Sequence, residues 1–114
     1  MQIINKDKET VIASEFKHCK NFFQHFRGLM FSGKKCLLFE FEKEKHISLH
    51  MFFVFFAIDV VYLDKNKKVV EIKKGLKPFW FYSPKKKAKF IIEAPEGIVD
   101  KTMTKEGDWV VVKY

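Results

Sequence analysis

The sequence predicts a mainly β protein: a compact barrel or two-sheet sandwich of about seven to eight short strands, with one short helix packed on it. Three observations predict it. Eight segments alternate apolar and polar residues or run through β-branched ones. Only one stretch carries a clear helical stripe. Many short strands must also hide their edges, which closing or doubling the sheet achieves.

The strands are expected near Gln2 to Asn5, Thr10 to Phe16, Leu37 to Glu42, Ile47 to Phe55, Ile58 to Leu63, Lys68 to Lys73, Lys89 to Ala94 and Asp108 to Lys113. Asn5-Lys6-Asp7-Lys8 and Asp64-Lys65-Asn66-Lys67 read as hairpin turns, because Asn and Asp bond their own backbone and tolerate the left-handed region. The helix is expected over Lys20 to Arg27, where Phe22, Phe26 and Met30 recur every four residues and Gly28 can end it. Its aromatics read as core-facing, since burying that stripe is what holds a short helix. A second helical turn is expected near Ile98 to Met103.

Residues 1–114 fit one domain large enough for a real core, and 47% hydrophobic residues exclude disorder. Abundant Lys and Glu beside three Asn and two Gln suit a heat-adapted, thermostable protein. Met1 opens onto Gln2-Ile3-Ile4 with no basic and apolar leader, so a cytoplasmic location is expected. The longest apolar stretch, Ile47 to Leu63, is short for a membrane span and carries His50 and Asp59, so it reads as buried strands and no membrane partner is expected. A monomer is favoured. Cys19 and Cys36 lack C-x-x-C spacing; two reduced, buried thiols are expected, with a disulfide left open.

Phe26-Arg27-Gly28-Leu29-Met30-Phe31 precedes Leu49 to Asp64, with Leu37 to Phe41 between them, and Lys77-Pro78-Phe79-Trp80 and Glu93-Ala94-Pro95-Glu96-Gly97 follow. In this order the five blocks resemble the domain-of-unknown-function 192 family, over about Ser14 to Val112. The resemblance implies a compact β barrel or sandwich with a helix across it, and no settled activity. Ser32 and Ala57 depart from the family pattern, which has a basic residue and a proline there.

Catalytic constellations are scarce. The serines lie in no nucleophile-elbow or S-x-x-K setting and no glycine-rich phosphate loop is present, so an enzyme is disfavoured and no catalytic residue or cofactor is assigned. Among the histidines, His46 and His50 would stand ~13 Å apart on an extended strand, too far to share one ion, so no metal is expected. Asp59 lies inside an apolar run, where a carboxylate must be paired, hydrogen-bonded or turned to water. Arg27, the only arginine, is its expected partner, either as a lock between helix and sheet or as part of a ligand site.

Charge is unevenly placed. Between Lys65 and Lys89 ten lysines face one acid, Glu71, although the whole chain carries only +8. Phe79-Trp80-Phe81-Tyr82 precedes Lys85-Lys86-Lys87, a combination of rings and ammonium groups suited to single-stranded nucleic acid, although solvated lysines and core aromatics would read the same way. The leading expectation is a small, soluble, non-enzymatic domain binding an unidentified small ligand through Arg27, His50, Asp59, Phe79, Trp80 and Tyr82. The alternative is a lysine-driven nucleic-acid binder using Lys77, Trp80, Lys85, Lys86 and Lys87. A hydrolase-like enzyme using Asp59 with His50 ranks third.

Overall fold

Strand β6 (Ile58–Leu63) is buried along its whole length, because a sheet covered on both faces needs continuous apolar strands. In the computed structural model, which describes residues 1–20, 36–51 and 56–114, β6 pairs with β9 (Ala88–Pro95) and β7 (Val69–Leu76). Beyond β9 lie β4 (Leu37–Lys45) and then β3 (Lys17–Cys19), giving a five-stranded sheet ordered β3-β4-β9-β6-β7. Only the β3–β4 pair in it is parallel.

A three-stranded antiparallel sheet, β10-β1-β2, packs on one face; its strands are β1 (Gln2–Asn5), β2 (Thr10–Ala13) and β10 (Val110–Lys113). Ile3, Ile12 and Val110 meet Leu38, Val61, Leu63 and Ile92 between these layers. The opposite face, carrying Leu37, Val60, Tyr62 and Ile91, packs with Met51 beside the two-stranded ribbon of β5 (Leu49–His50) and β8 (Phe81–Tyr82). The period of two thus sends alternate residues of β6 and β9 into separate cores. The molecule is mainly β and sandwich-like, and among the described residues the sheets do not close into a barrel.

Helix α1 (Ile98–Thr102) forms where the second helical turn is expected, and Val99 buries into the first core. The expected helix at Lys20 to Arg27 lies, after Lys20, outside the described residues. Both turns behave as their residues require: Asn5 Oδ1 accepts from Lys8 N at 3.0 Å, and Asp64 Oδ1 accepts from Asn66 N at 2.8 Å and Lys68 N at 3.0 Å. Two expectations need correction. The strand expected through Phe16 stops at Ala13, and after bends at Ser14 and Glu15 the chain joins the other sheet as β3. Of the strand expected over Ile47 to Phe55, Leu49–His50 forms β5 and Ile47, Ser48 and Met51 stand outside it, while residues 52–55 lie outside the described set. No helix among the described residues is long and apolar enough to cross a membrane.

Asn5 and Asp108 tie the chain ends together. The buried Asn5 donates to Thr104 Oγ1 at 3.1 Å and to Asp108 Oδ2 at 2.9 Å, and Lys8 Nζ reaches Asp108 Oδ1 at 2.9 Å. Burial would raise the Asp108 carboxyl, but the hydrogen bonds from Asn5, Lys8 and the Lys105 amide, with the Lys8 charge, hold it below its ordinary value.

Candidate functional site

Asp59 shows how a carboxylate survives in an apolar strand. Its Oδ1 accepts from Gly75 N at 3.0 Å, and its Oδ2 from Gly97 N at 3.1 Å and Val99 N at 2.9 Å. The buried side chain therefore fastens the end of β7 and the start of α1 to β6. Gly75 and Gly97 present their amides from left-handed backbone, with φ of 62° and 99°. Both oxygens are thus engaged by main chain. Arg27, its expected partner, and the side chain of His50 lie outside the described residues.

The other sequence-predicted residues gather along the edge strand β7 and the segment that follows it. Trp80 N donates to Lys77 O at 3.2 Å, closing a tight turn with Pro78 and Phe79 at its centre. Phe79 has φ 62°, a left-handed conformation that such a turn ordinarily assigns to glycine and that is strained for an aromatic residue. Its backbone is held there by Met51, whose O accepts from Phe79 N at 2.9 Å and whose N donates to Trp80 O at 2.8 Å. The turn exposes its rings: Phe79 is 53%, Trp80 61% and Phe81 65% accessible.

Two of the rings carry ammonium groups. Lys77 Nζ stands 5.7 Å from the Trp80 ring centre, and Lys73 Nζ 5.9 Å from that of Tyr82, both within cation–π range. Tyr82 turns its hydroxyl inward to donate to Glu71 Oε2. Glu71 Oε1 accepts from the amides of Lys85 and Lys86, each at 2.9 Å, so one buried carboxylate fixes both Tyr82 and the lysine run. Burial, then the hydrogen bond and charge of Glu71, with a smaller contribution from Glu106, push the Tyr82 phenol up to about 12. His46 Nε2 lies 3.2 Å from Lys85 O and Ser48 Oγ 3.2 Å from Ser83 Oγ, further pinning this segment.

The result is a strip running from Lys77 and Trp80, past Lys73 and Tyr82, to the exposed Lys85, Lys86 and Lys87. Glu71 and Lys77 are six residues apart along β7 and its extension, which places the ends roughly 15 to 20 Å apart. The lysine-rich segment is not one patch. Lys67 and Lys89 lie 4.8 Å and 5.3 Å from the Phe90 ring and Lys68 lies 5.5 Å from that of Trp109, while Lys74 pairs with Asp100 at 3.0 Å.

Glu93 was not singled out by the sequence reasoning, although it stands between Ile92 and Ala94 much as Asp59 stands between Ile58 and Val60. It lies at the middle of the five-stranded sheet, aligned with Leu37 and Val60 and therefore on their face. Burial raises its carboxyl to about 8. Burial also lifts the Cys36 thiol to about 12, with Glu93 adding to the effect, and raises Cys19. Both cysteines are buried. Cys19 stands opposite Phe39, three positions beyond Cys36, and belongs to the other core layer, so the register separates the two by about 10 Å and excludes a disulfide. Of the remaining histidines, His18 Nε2 lies 2.7 Å from Glu40 Oε1, and His25 is outside the described residues.

Known proteins share this framework. A solved structure from Sinorhizobium meliloti, provisionally named a transcription regulator, matches with a TM-score of 0.85 over 96% of this chain and 89% of its own, at 15% identity. A protein of unknown function from Novosphingobium aromaticivorans matches with a TM-score of 0.83 over 97% of this chain and 82% of its own, also at 15% identity. Among sequences, a UPF0127 protein of Thermococcus sibiricus is 40% identical over 110 residues, covering 93% of this chain and 71% of the relative. One from Pyrococcus furiosus is 39% identical, covering 93% of each. The family model described as DUF192, an uncharacterised family, matches residues 3–112. The match over nearly the whole chain shows that it belongs to the DUF192 family, whose relatives here are uncharacterised UPF0127 proteins.

Proposed function

We propose that this chain is a non-enzymatic binding module whose contact surface is the strip of rings and ammonium groups from Lys73 to Lys87. The observation that carries the reading is the strained Phe79 turn, which holds Trp80 exposed beside Lys77 on a backbone where glycine would be the relaxed choice. Rings beside ammonium groups favour an anionic ligand with a flat, polarizable part. A site centred on Asp59 draws less support, because three main-chain amides already engage its two oxygens. The same occupancy speaks against a hydrolase-like role for it.

The relatives from Thermococcus and Pyrococcus support heat adaptation, and the reading takes the chain as a cytoplasmic, thermostable protein. The provisional name of the Sinorhizobium meliloti protein is compatible with an anionic polymer as ligand, but at 15% identity that likeness supports the fold alone.

The test uses Trp80 as its own probe. With Trp109→Phe removing the other tryptophan, titration with a nucleoside monophosphate at low salt should change the fluorescence saturably. Lys73→Ala with Lys77→Ala should weaken that response. An unchanged spectrum up to millimolar ligand would overturn the reading.

A further inference from the structure

We propose that the strip is a track for single-stranded nucleic acid, an inference that rests on the binding reading above. The arrangement repeats what such a chain repeats. Lys77 lies beside Trp80, Lys73 beside Tyr82, and Lys85 to Lys87 continue the charge, so rings and cations succeed one another along an edge roughly 15 to 20 Å long. That length accommodates about four nucleotides, the lower end of the site sizes seen where bases stack on aromatic side chains. Of the two acids that act on Tyr82, Glu71 is buried and turned to Tyr82 and the amides of Lys85 and Lys86, which leaves the exposed Glu106 against Lys73, Lys77 and Lys85 to Lys87 and the surface net cationic.

The chemistry also narrows the form of the nucleic acid. Lysine offers a mobile point charge suited to phosphate, whereas base-specific readout draws on the arginine fork, which residues 73–87 lack. Binding should therefore tolerate most sequences. A duplex fits poorly, because its bases are stacked on one another and offer no free face to the exposed Trp80 ring. An anionic bilayer would be met by aromatic residues and lysines gathered at one tip, whereas Lys85 to Lys87 lie at the far end of the strip from Trp80.

The experiment is fluorescence anisotropy with a labelled mixed-sequence single strand of about 12 nucleotides, beginning near 20 mM salt. Saturable binding is expected, with affinity falling steeply as salt rises. Combining Lys85→Ala, Lys86→Ala and Lys87→Ala should reduce the slope of log affinity against log salt by about 2, at roughly 0.7 per phosphate contact. Removing three exposed lysines elsewhere, Lys6→Ala, Lys101→Ala and Lys113→Ala, should leave the slope nearly unchanged. Trp80→Ala, with a wild-type circular dichroism spectrum and melting temperature, should weaken binding about 5- to 150-fold, the value of one stacked base. The proposal is overturned if no single strand binds, if Trp80→Ala binds as tightly as wild type, if duplex binds equally well, or if only phosphatidylserine vesicles bind. A mononucleotide that binds as tightly as the 12-mer would sink the track while leaving the binding site standing. Failure of both would remove the site as well.

Discussion

Replacing Glu93 by glutamine should remove a pH dependence from the stability of the whole fold. The carboxyl lies on β9, at the middle of the five-stranded sheet, where burial raises it to about 8 against about 4.3 in an unfolded chain. Near neutrality the folded state therefore keeps a proton that the unfolded state has released. Stability from this group is fully present below about pH 4.3 and declines by about 1.4 kcal/mol per unit until about pH 8. The full span is about 5 kcal/mol, of which about 4 kcal/mol falls between pH 5 and pH 8. Glutamine keeps the shape and the neutral charge, so it has no such slope. Urea denaturation of both proteins at pH 5, 6, 7 and 8 measures the difference directly, because every other titrating group cancels between them. The stability of Glu93→Gln relative to wild type should rise by several kcal/mol across that range. Parallel curves would show that the group ionises normally in the folded protein, and the reasoning from burial would fail.

Asp59→Ala should cost about 3 to 5 kcal/mol, since it strips the acceptor from three amides at the start of α1 and the end of β7; a loss under about 1 kcal/mol in urea denaturation would contradict the staple. Asp108 is held below its ordinary value, so its contribution is present above about pH 3.9 and is lost as the pH falls through its folded value. Asp108→Asn should therefore flatten the acid limb of an acid-unfolding curve, and an unaltered limb would be inconsistent with the Lys8 and Asn5 contacts. Glu71→Ala should cost roughly 3 kcal/mol by releasing Tyr82 and two lysine amides, and hydrogen exchange should quicken at Lys85 and Lys86 with little change at Val60.

Much of the framework was legible because its strands carry strong local signals. Ile58 to Leu63 and Gln2 to Asn5 match the observed elements residue for residue, and the Asn5 and Asp64 turns follow from side chains that bond their own backbone. β3 and β8 were missed, since strands of three and two residues are too short to display a period. The Lys77 to Trp80 turn was hidden for the opposite reason: Phe79 occupies a position where glycine would have announced it. In the site, the sequence identified Asp59 as a carboxylate needing a partner but not that main-chain amides supply one, because those donors lie 16 to 40 residues away. The two residue sets weighed from sequence overlap at Trp80, and Phe79 and Tyr82 of the first lie along the same strip as Lys77 and Lys85 to Lys87 of the second, whereas Asp59 is turned to main-chain amides and Arg27 and the His50 side chain lie outside the described residues. What joins Tyr82 to the lysine run is Glu71, a carboxylate that reads in sequence as one more charge in a lysine-rich stretch.

The central claim, that binding occurs along this strip, is tested most directly by recording nitrogen–proton correlation spectra of isotope-labelled protein during addition of an unlabelled single strand at low salt. The amides from Lys73 to Lys87 and the indole N–H of Trp80 should shift progressively and to saturation, while the Trp109 indole and the amides of Gly97 and Val99 beside Asp59 stay in place. Shifts centred on Gly97 and Val99, or a spectrum that does not change, would contradict the account.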